Sequence, residues 1–313
     1  MIRSRRLRER RRPRKPKGAV LIDGFHGIGD QIYQRPAVAA CLREGLAVWL
    51  ATPLPELYVD LVALGELHFV RPRRVTLRTQ ALEMARVPEA LWKDWPPARS
   101  AERRRVAYTP AGIAAGMRPW ECFAHELGFA PPEIDGRDMV IHVGSRRRAD
   151  ALAVHPPTLR REWKNPARLP AEGAFAAAVA AGALRTDRLV SVGFEAPGEE
   201  WKAEPETWPV AQRFDAGELG LGALLGLLRG VAGIVSGVSL MLPLAIATST
   251  PALIVFGGSL PPEVLVPLEQ DWNPITAVGP ERVCDCGVTQ HDCDKTTNLD
   301  ALRSRSREWR ASL

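Results

Sequence analysis

The chain has 313 residues, 46% apolar and 25% charged, the balance of a globular protein long enough for two domains with separate cores. Five cysteines in a chain of this length exclude a disulfide framework, and the apolar stretch after Lys17 stops at Asp23, too short for a secretory signal. The net charge of +6 is unevenly placed: residues 1–17 hold ten Lys/Arg against Glu9, which is +9 and leaves −3 for the remainder. With almost nothing apolar to bury, 1–17 reads as a basic disordered tail. It is suited to phosphates on nucleic acid or to an anionic membrane surface, or serves only as a solubilising extension.

In chain order, 19–22 reads as a strand closed by Asp23-Gly24-Phe25-His26-Gly27-Ile28-Gly29, and a helix follows over 30–44, stopped at Gly45. A strand over 46–51, a helix over 57–64 and a strand over 68–70 continue the alternation. Residues 71–105, rich in Arg, Pro and Trp, resolve into no clear elements. A strand is expected over 105–108 and a helix over 120–127. Pro131-Pro132 and the charged stretch 144–150 read as a linker. A second alternating series then runs through a strand at 151–155, a helix at 175–181, a strand at 189–193 and a helix at 219–228.

Residues 230–262 carry no charge and are long enough to span a bilayer. Pro243, Pro251 and the interspersed Gly, Ser and Thr divide them instead. The expected pieces are a strand at 233–235, a turn at Ser236-Gly237, a helix at 239–247, a turn at 248–251 and a strand at 252–256. No transmembrane segment is expected. A last helix covers 299–309. Strand–helix alternation of this kind implies parallel sheets with ligands at the carboxyl ends of their strands. The expected fold is α/β, two Rossmann-like domains facing across a cleft. The divisions are a tail at 1–17, an N-terminal domain at 18–148, a C-terminal domain at 149–298 and a terminal helix at 299–313.

The first loop carries the strongest signal. Its glycines let backbone turn tightly and approach a ligand, and Asp30 stands where a helix begins. Asp30 is read either as a helix N-cap or as a carboxylate facing the cleft. The spacing departs from G-x-G-x-x-G, which disfavours a nicotinamide cofactor.

Gly27-Ile28-Gly29-Asp30 followed by Arg35-Pro36-Ala37-Val38 resembles the opening of the heptosyltransferases, glycosyltransferase family 9. The resemblance implies a GT-B-like architecture and an inverting transfer of a sugar from a nucleotide-sugar to a hydroxyl acceptor, with Asp30 as catalytic base. His26, in the same loop, is a candidate assistant, and Gly27 and Gly29 would border the acceptor. In the second half, 153–158 and Glu162-Trp163-Lys164-Asn165-Pro166 resemble the family's donor loop. Thr158 and Lys164 are therefore expected at the donor phosphates, and Glu199, chosen from Glu195, Glu199 and Glu200, at the ribose. The stretch 234–257 resembles the family's most recognisable segment and places Ser236, Gly237 and Ser239 at the pyrophosphate, where a helix N-terminus offers N–H groups. Three positions depart from the family: its Asp is Val238, its Gly is Leu240 and its His is Pro243.

The family's chemistry implies no cofactor and no metal at the pyrophosphate, the nucleotide-sugar being a co-substrate. Cys284, Cys286, His291 and Cys293 nevertheless form a set of N/S donors that suits a structural zinc ion. The family's default acceptor is lipopolysaccharide core, with modified DNA as the acceptor the tail suggests. The expected location is the cytoplasm, peripheral to the inner membrane where the tail meets lipid. The rival readings are a nucleotide-sugar 2-epimerase of the same fold and a nucleotide-sugar-binding protein without catalysis.

Overall fold

A computed structural model describes residues 18–97, 99–141, 149–161, 168–183, 188–268, 272, 274–283 and 295–313. The basic tail, Lys164 and the Cys284–Cys293 donor set lie outside these residues.

The strands in chain order are β1 (Ala19–Asp23), β2 (Ala47–Ala51), β3 (Leu67–Val70), β4 (Trp92–Lys93), β5 (Glu102–Arg105), β6 (Ala149–His155), β7 (Thr158–Arg160), β8 (Arg188–Val192), β9 (Glu200–Lys202), β10 (Gln212–Phe214), β11 (Val231–Gly237), β12 (Ala252–Val255) and β13 (Ile275–Val278). The helices are α1 (Ile28–Arg43), α2 (Arg78–Arg86), α3 (Pro110–Ala114), α4 (Pro119–Glu126), α5 (Ala174–Gly182), α6 (Leu221–Gly230), α7 (Met241–Thr248), α8 (Pro262–Leu265) and α9 (Leu299–Ala311).

Two parallel sheets result, ordered β4-β3-β2-β1-β5 and β10-β8-β6-β11-β12-β13, with β7 and β9 forming a short antiparallel ribbon. Each sheet winds outward from its first strand in one direction and then reverses. The reversal lies between β1 and β5 in the first sheet and between β6 and β11 in the second. At such a switch point the two following loops diverge and leave a crevice, where ligands of open α/β sheets bind.

One apolar cluster runs through both sheets, including Ile22, Leu50, Ala153 and Ile234, and α1 packs on α7 across it. The Arg35-Pro36 pair lies wholly inside. Arg35 makes a bidentate pair with Asp60 at 2.9 and 2.8 Å and donates to the carbonyls of Asp138, Val140 and Leu57. A buried guanidinium is tolerable only with partners on this scale, and these fix the pose of α1.

Several expectations shift. The helix expected from 30 begins at Ile28, with Gly27 as its N-cap and no side-chain capping bond, so Asp30 is the third helical residue and not the cap. Residues 57–64 make two short 3-10 turns, Pro55–Leu57 and Val59–Ala63, because Pro55 and the exposed Val59 and Val62 give no amphipathic helical face. The strand expected at 105–108 lies at Glu102–Arg105, where three arginines hid it. Ala149 and Asp150, assigned to a linker, already belong to β6, and Ser236-Gly237 ends β11 without turning. No described helix is long and apolar enough to cross a membrane.

Candidate active site

The loops after β1 and β5 and those after β6 and β11 converge on one cavity of about 270 Å³. Both sheets thus present their switch points to the same space.

Asp30 enters it from the first turn of α1. An acidic side chain there is favoured by the helix N-terminal charge. Its Oδ2 would lie 2.6 Å from a Cβ at residue 27, so any larger residue there would have to move the carboxylate. The hydroxyl of Tyr108, just past β5, donates to Oδ1 at 3.0 Å. Burial pushes the Asp30 pKa up to about 6, opposed by the Tyr108 hydrogen bond and the charge of Arg168. A carboxylate poised near neutrality and open to a cleft has the properties of a general base.

The opposite wall belongs to the second half of the chain. Arg168 and Arg160 border the cavity. Burial lowers the pKa of Arg168, while Tyr108, Tyr33 and Asp30 oppose the loss of its charge. Arg160 pairs with Glu200 at 3.0 Å, and Glu200 also accepts the Thr158 hydroxyl proton at 2.9 Å. His155, at the end of β6, lies buried against the cavity. Its Nδ1 meets the Val192 carbonyl at 2.7 Å, and burial pulls its pKa down to about 4, so the ring is neutral and Nδ1–H donates. Ser239 accepts the N–H of Met241, the first residue of α7, at 3.2 Å. Val238, Leu240 and Pro243, the three departures from the family pattern, all face the cavity and give it an apolar side.

The residues expected at the site are placed as follows. Asp30, Gly27, Gly29, Thr158 and Ser239 line the cavity together. Ser236 is buried and donates to the Gly237 carbonyl at 2.8 Å, and Gly237 packs under Pro157. Both therefore lie beneath the wall and outside the lining. Glu199 is exposed, 3.7 Å from Arg78, in a neighbouring shallow hollow. Of Glu195, Glu199 and Glu200, the one that lines the cavity is Glu200. His26 turns toward Asp23 at 3.7 Å and does not line the cavity. Tyr33, Tyr108, Arg160 and Arg168 were missed. Only Arg160, which follows the Thr158 motif on the same strand, carried a local signal. Among the described residues no His/Cys/Asp/Glu group is arranged to hold a metal.

No protein-family model and no curated protein sequence matches the chain. Solved structures do. The iron-containing dodecameric glycosyltransferase TibC from enterotoxigenic E. coli superposes with a TM-score of 0.58 at 14% identity, over 94% of this chain and 73% of that one. The same protein has been solved in complex with ADP-D-β-D-heptose. A family 9 glycosyltransferase from Veillonella parvula gives 0.53 at 10% identity, over 96% and 99%. The fold is that of the family 9 glycosyltransferases. The E. coli ADP-heptose lipopolysaccharide heptosyltransferase II agrees, with 0.53 at 14% identity over 94% and 99%. These likenesses extend across both sheets, so the paired switch points belong to a shared architecture.

Proposed function

We propose that this chain is an inverting glycosyltransferase that moves a sugar from a nucleotide-sugar donor to a hydroxyl of an acceptor. The observation that carries the reading is Asp30: a carboxylate with a pKa of about 6, at one switch point, facing cationic side chains at the other. In this reading Asp30 takes the proton of the acceptor hydroxyl as its oxygen attacks the anomeric carbon. The bond to the diphosphate breaks on the far side, and Arg160 and Arg168 meet the charge that departs. A single displacement of this kind inverts the anomeric centre and needs no covalent intermediate.

The family 9 fold supports the donor class, and the ADP-heptose bound to TibC makes an ADP-sugar the first donor to try. Lipopolysaccharide core is the proposed acceptor and the cytoplasm the proposed compartment. Lys164, next to the donor loop in sequence, remains a proposed phosphate ligand, and 18–148 and 149–298 the proposed domain limits. The apolar character of Val238, Leu240 and Pro243 favours one second reading, a nucleotide-sugar-binding protein without transfer.

Calorimetric titration with ADP, UDP and GDP, followed by release of nucleoside diphosphate from the matching sugars, separates the two. Binding with turnover that disappears in Asp30→Asn supports transfer. Binding without turnover supports the second reading, and no nucleotide binding at all removes both.

A further inference from the structure

The first sheet has two faces, and only one is covered by α1. On the other, the apolar cluster consists of Leu21, Ala51 and Val70 with Trp49, Trp95 and Ala101, all strand or loop residues. No helix contributes to it among the described residues.

What stands on this face is aromatic and mostly cationic, its acids being Asp23 and Glu66, the latter 2.8 Å from the His68 ring. Trp49 and His68, neighbours on β2 and β3, have ring centroids 4.4 Å apart. The Trp95 ring has two guanidinium groups over it, Arg73 at 4.5 Å and Arg103 at 5.6 Å from its centroid. Arg103 pairs with Leu21 and Arg105 with Asp23 in register, so both point to this side. Arg103 has an acidic partner, Asp23 at 2.6 Å. Among the described residues Arg73 and Arg105 have none, and both are exposed. The segment 71–105 that supplies most of these groups holds ten Lys/Arg and four acids. That excess equals the net charge of the whole protein.

We infer that this sheet face binds single-stranded nucleic acid. Rings set on a flat sheet offer stacking platforms to unpaired bases, and guanidinium groups between them meet phosphates in the bidentate manner that lysine does not. Duplex DNA is read by elements that enter a groove, which a flat face lacks. A membrane would require apolar side chains to insert, and the exposed large ones, such as Phe25, Val59, Val62 and Leu64, lie elsewhere. The chain's own 1–17 segment is itself +9 and is repelled by the face. The surface is separate from the Asp30 cavity, and the inference stands whether or not the chain transfers sugar.

The test is fluorescence anisotropy of a labelled single strand of about 20 nucleotides. The full-length chain is titrated at salt concentrations between about 50 and 200 mM. The variant Arg73→Glu/Arg105→Glu should bind about tenfold or more weakly, with a salt slope lower by roughly 0.7 for each phosphate that is no longer neutralised. His68→Ala should weaken binding several-fold at an unchanged slope, because stacking releases no counterions. Every protein carries the same tail, so the differences belong to the face. Unchanged urea midpoints confirm that the variants fold, and single Arg105→Glu, at an exposed strand end, serves if the pair does not. Wild-type affinity in these variants overturns the inference. Equal affinity of the wild type for a duplex of the same sequence, or for vesicles of phosphatidylserine and phosphatidylcholine, overturns it as well.

Discussion

Replacing Asp30 by Asn should make the protein more stable while removing its activity, and the size of the gain follows from the cavity wall. The carboxyl is raised from 3.8 to about 6, with burial outweighing both Tyr108 and Arg168. Between those two pH values the folded chain holds a proton that the unfolded chain has released. Stability therefore falls as pH rises through this window and stays lower above it. At 1.36 kcal/mol per pH unit the loss amounts to about 3 kcal/mol. Below pH 3.8 both states are protonated and the contribution vanishes. Asn keeps an oxygen to accept the Tyr108 hydroxyl and carries no charge. The one opposing effect is loss of a negative charge near the α1 N-terminus, worth about 0.3–1 kcal/mol, which is too small to reverse the sign.

Asp30→Asn should thus exceed the wild type by about 2–3 kcal/mol at pH 8, with the gap closing to a few tenths near pH 4. Urea unfolding of both proteins at pH 4, 5, 6, 7 and 8, compared at equal slope, reads that gap directly. Other titrating groups are common to both and cancel. A gap that does not change with pH, or a variant less stable at pH 8, would refute the reasoning. The carboxylate would then be well solvated or fully paired, and Asp30 would be serving α1 as a favourable first-turn charge.

The remaining expectations concern the same cavity. If Asp30 is the base, kcat/KM should climb with pH and level off above about 6, because the base works deprotonated. Tyr108→Phe removes a hydrogen bond that lowers the Asp30 pKa, so a pH–rate titration should find that limb displaced to higher pH. Gly27→Ala puts a methyl group 2.6 Å from Asp30 Oδ2, and steady-state kinetics should show kcat falling while ADP affinity, measured by calorimetry, is nearly kept. Arg160→Ala should weaken ADP binding by roughly 1–3 kcal/mol in the same titration, through removal of a charge-assisted hydrogen bond to phosphate.

The sequence was readable where the pattern is backbone chemistry. The short apolar run 252–256, bounded by Pro251 and Gly257, reads as a buried parallel strand, and Gly45, at φ +80, stops α1 as its lack of a Cβ allows. It was unreadable where tertiary contacts decide. The sequence Glu102-Arg103-Arg104-Arg105 has no apolar residue, yet it pairs with β1 because its neighbour supplies the ladder. Arg168 and Tyr108 stand 138 and 78 residues from Asp30 in sequence, and no local spacing announces that they meet there. Glu200, the first residue of β9, accepts from Thr158 and pairs with Arg160, whereas Glu199, just before the strand, stays exposed, and no local spacing tells the two apart.

The three departures from the family pattern have a physical consequence that the sequence alone leaves open. Pro243 Cγ lies 3.0 Å from where a Cβ on residue 29 would stand, so Gly29 and Pro243 form a matched contact that lets α1 and α7 approach closely. Val238 and Leu240 line the same cavity and add to its apolar lining. Polar side chains at 238 and 243 would hydrogen-bond water there and return the carboxyl toward its ordinary acidity. Burial is the largest cause of the raised Asp30 pKa, and Val238, Leu240 and Pro243 line the same cavity from the other half of the chain. If Asp30 is the base, as proposed, apolar side chains at 238 and 243 would help to hold its carboxyl above its ordinary acidity.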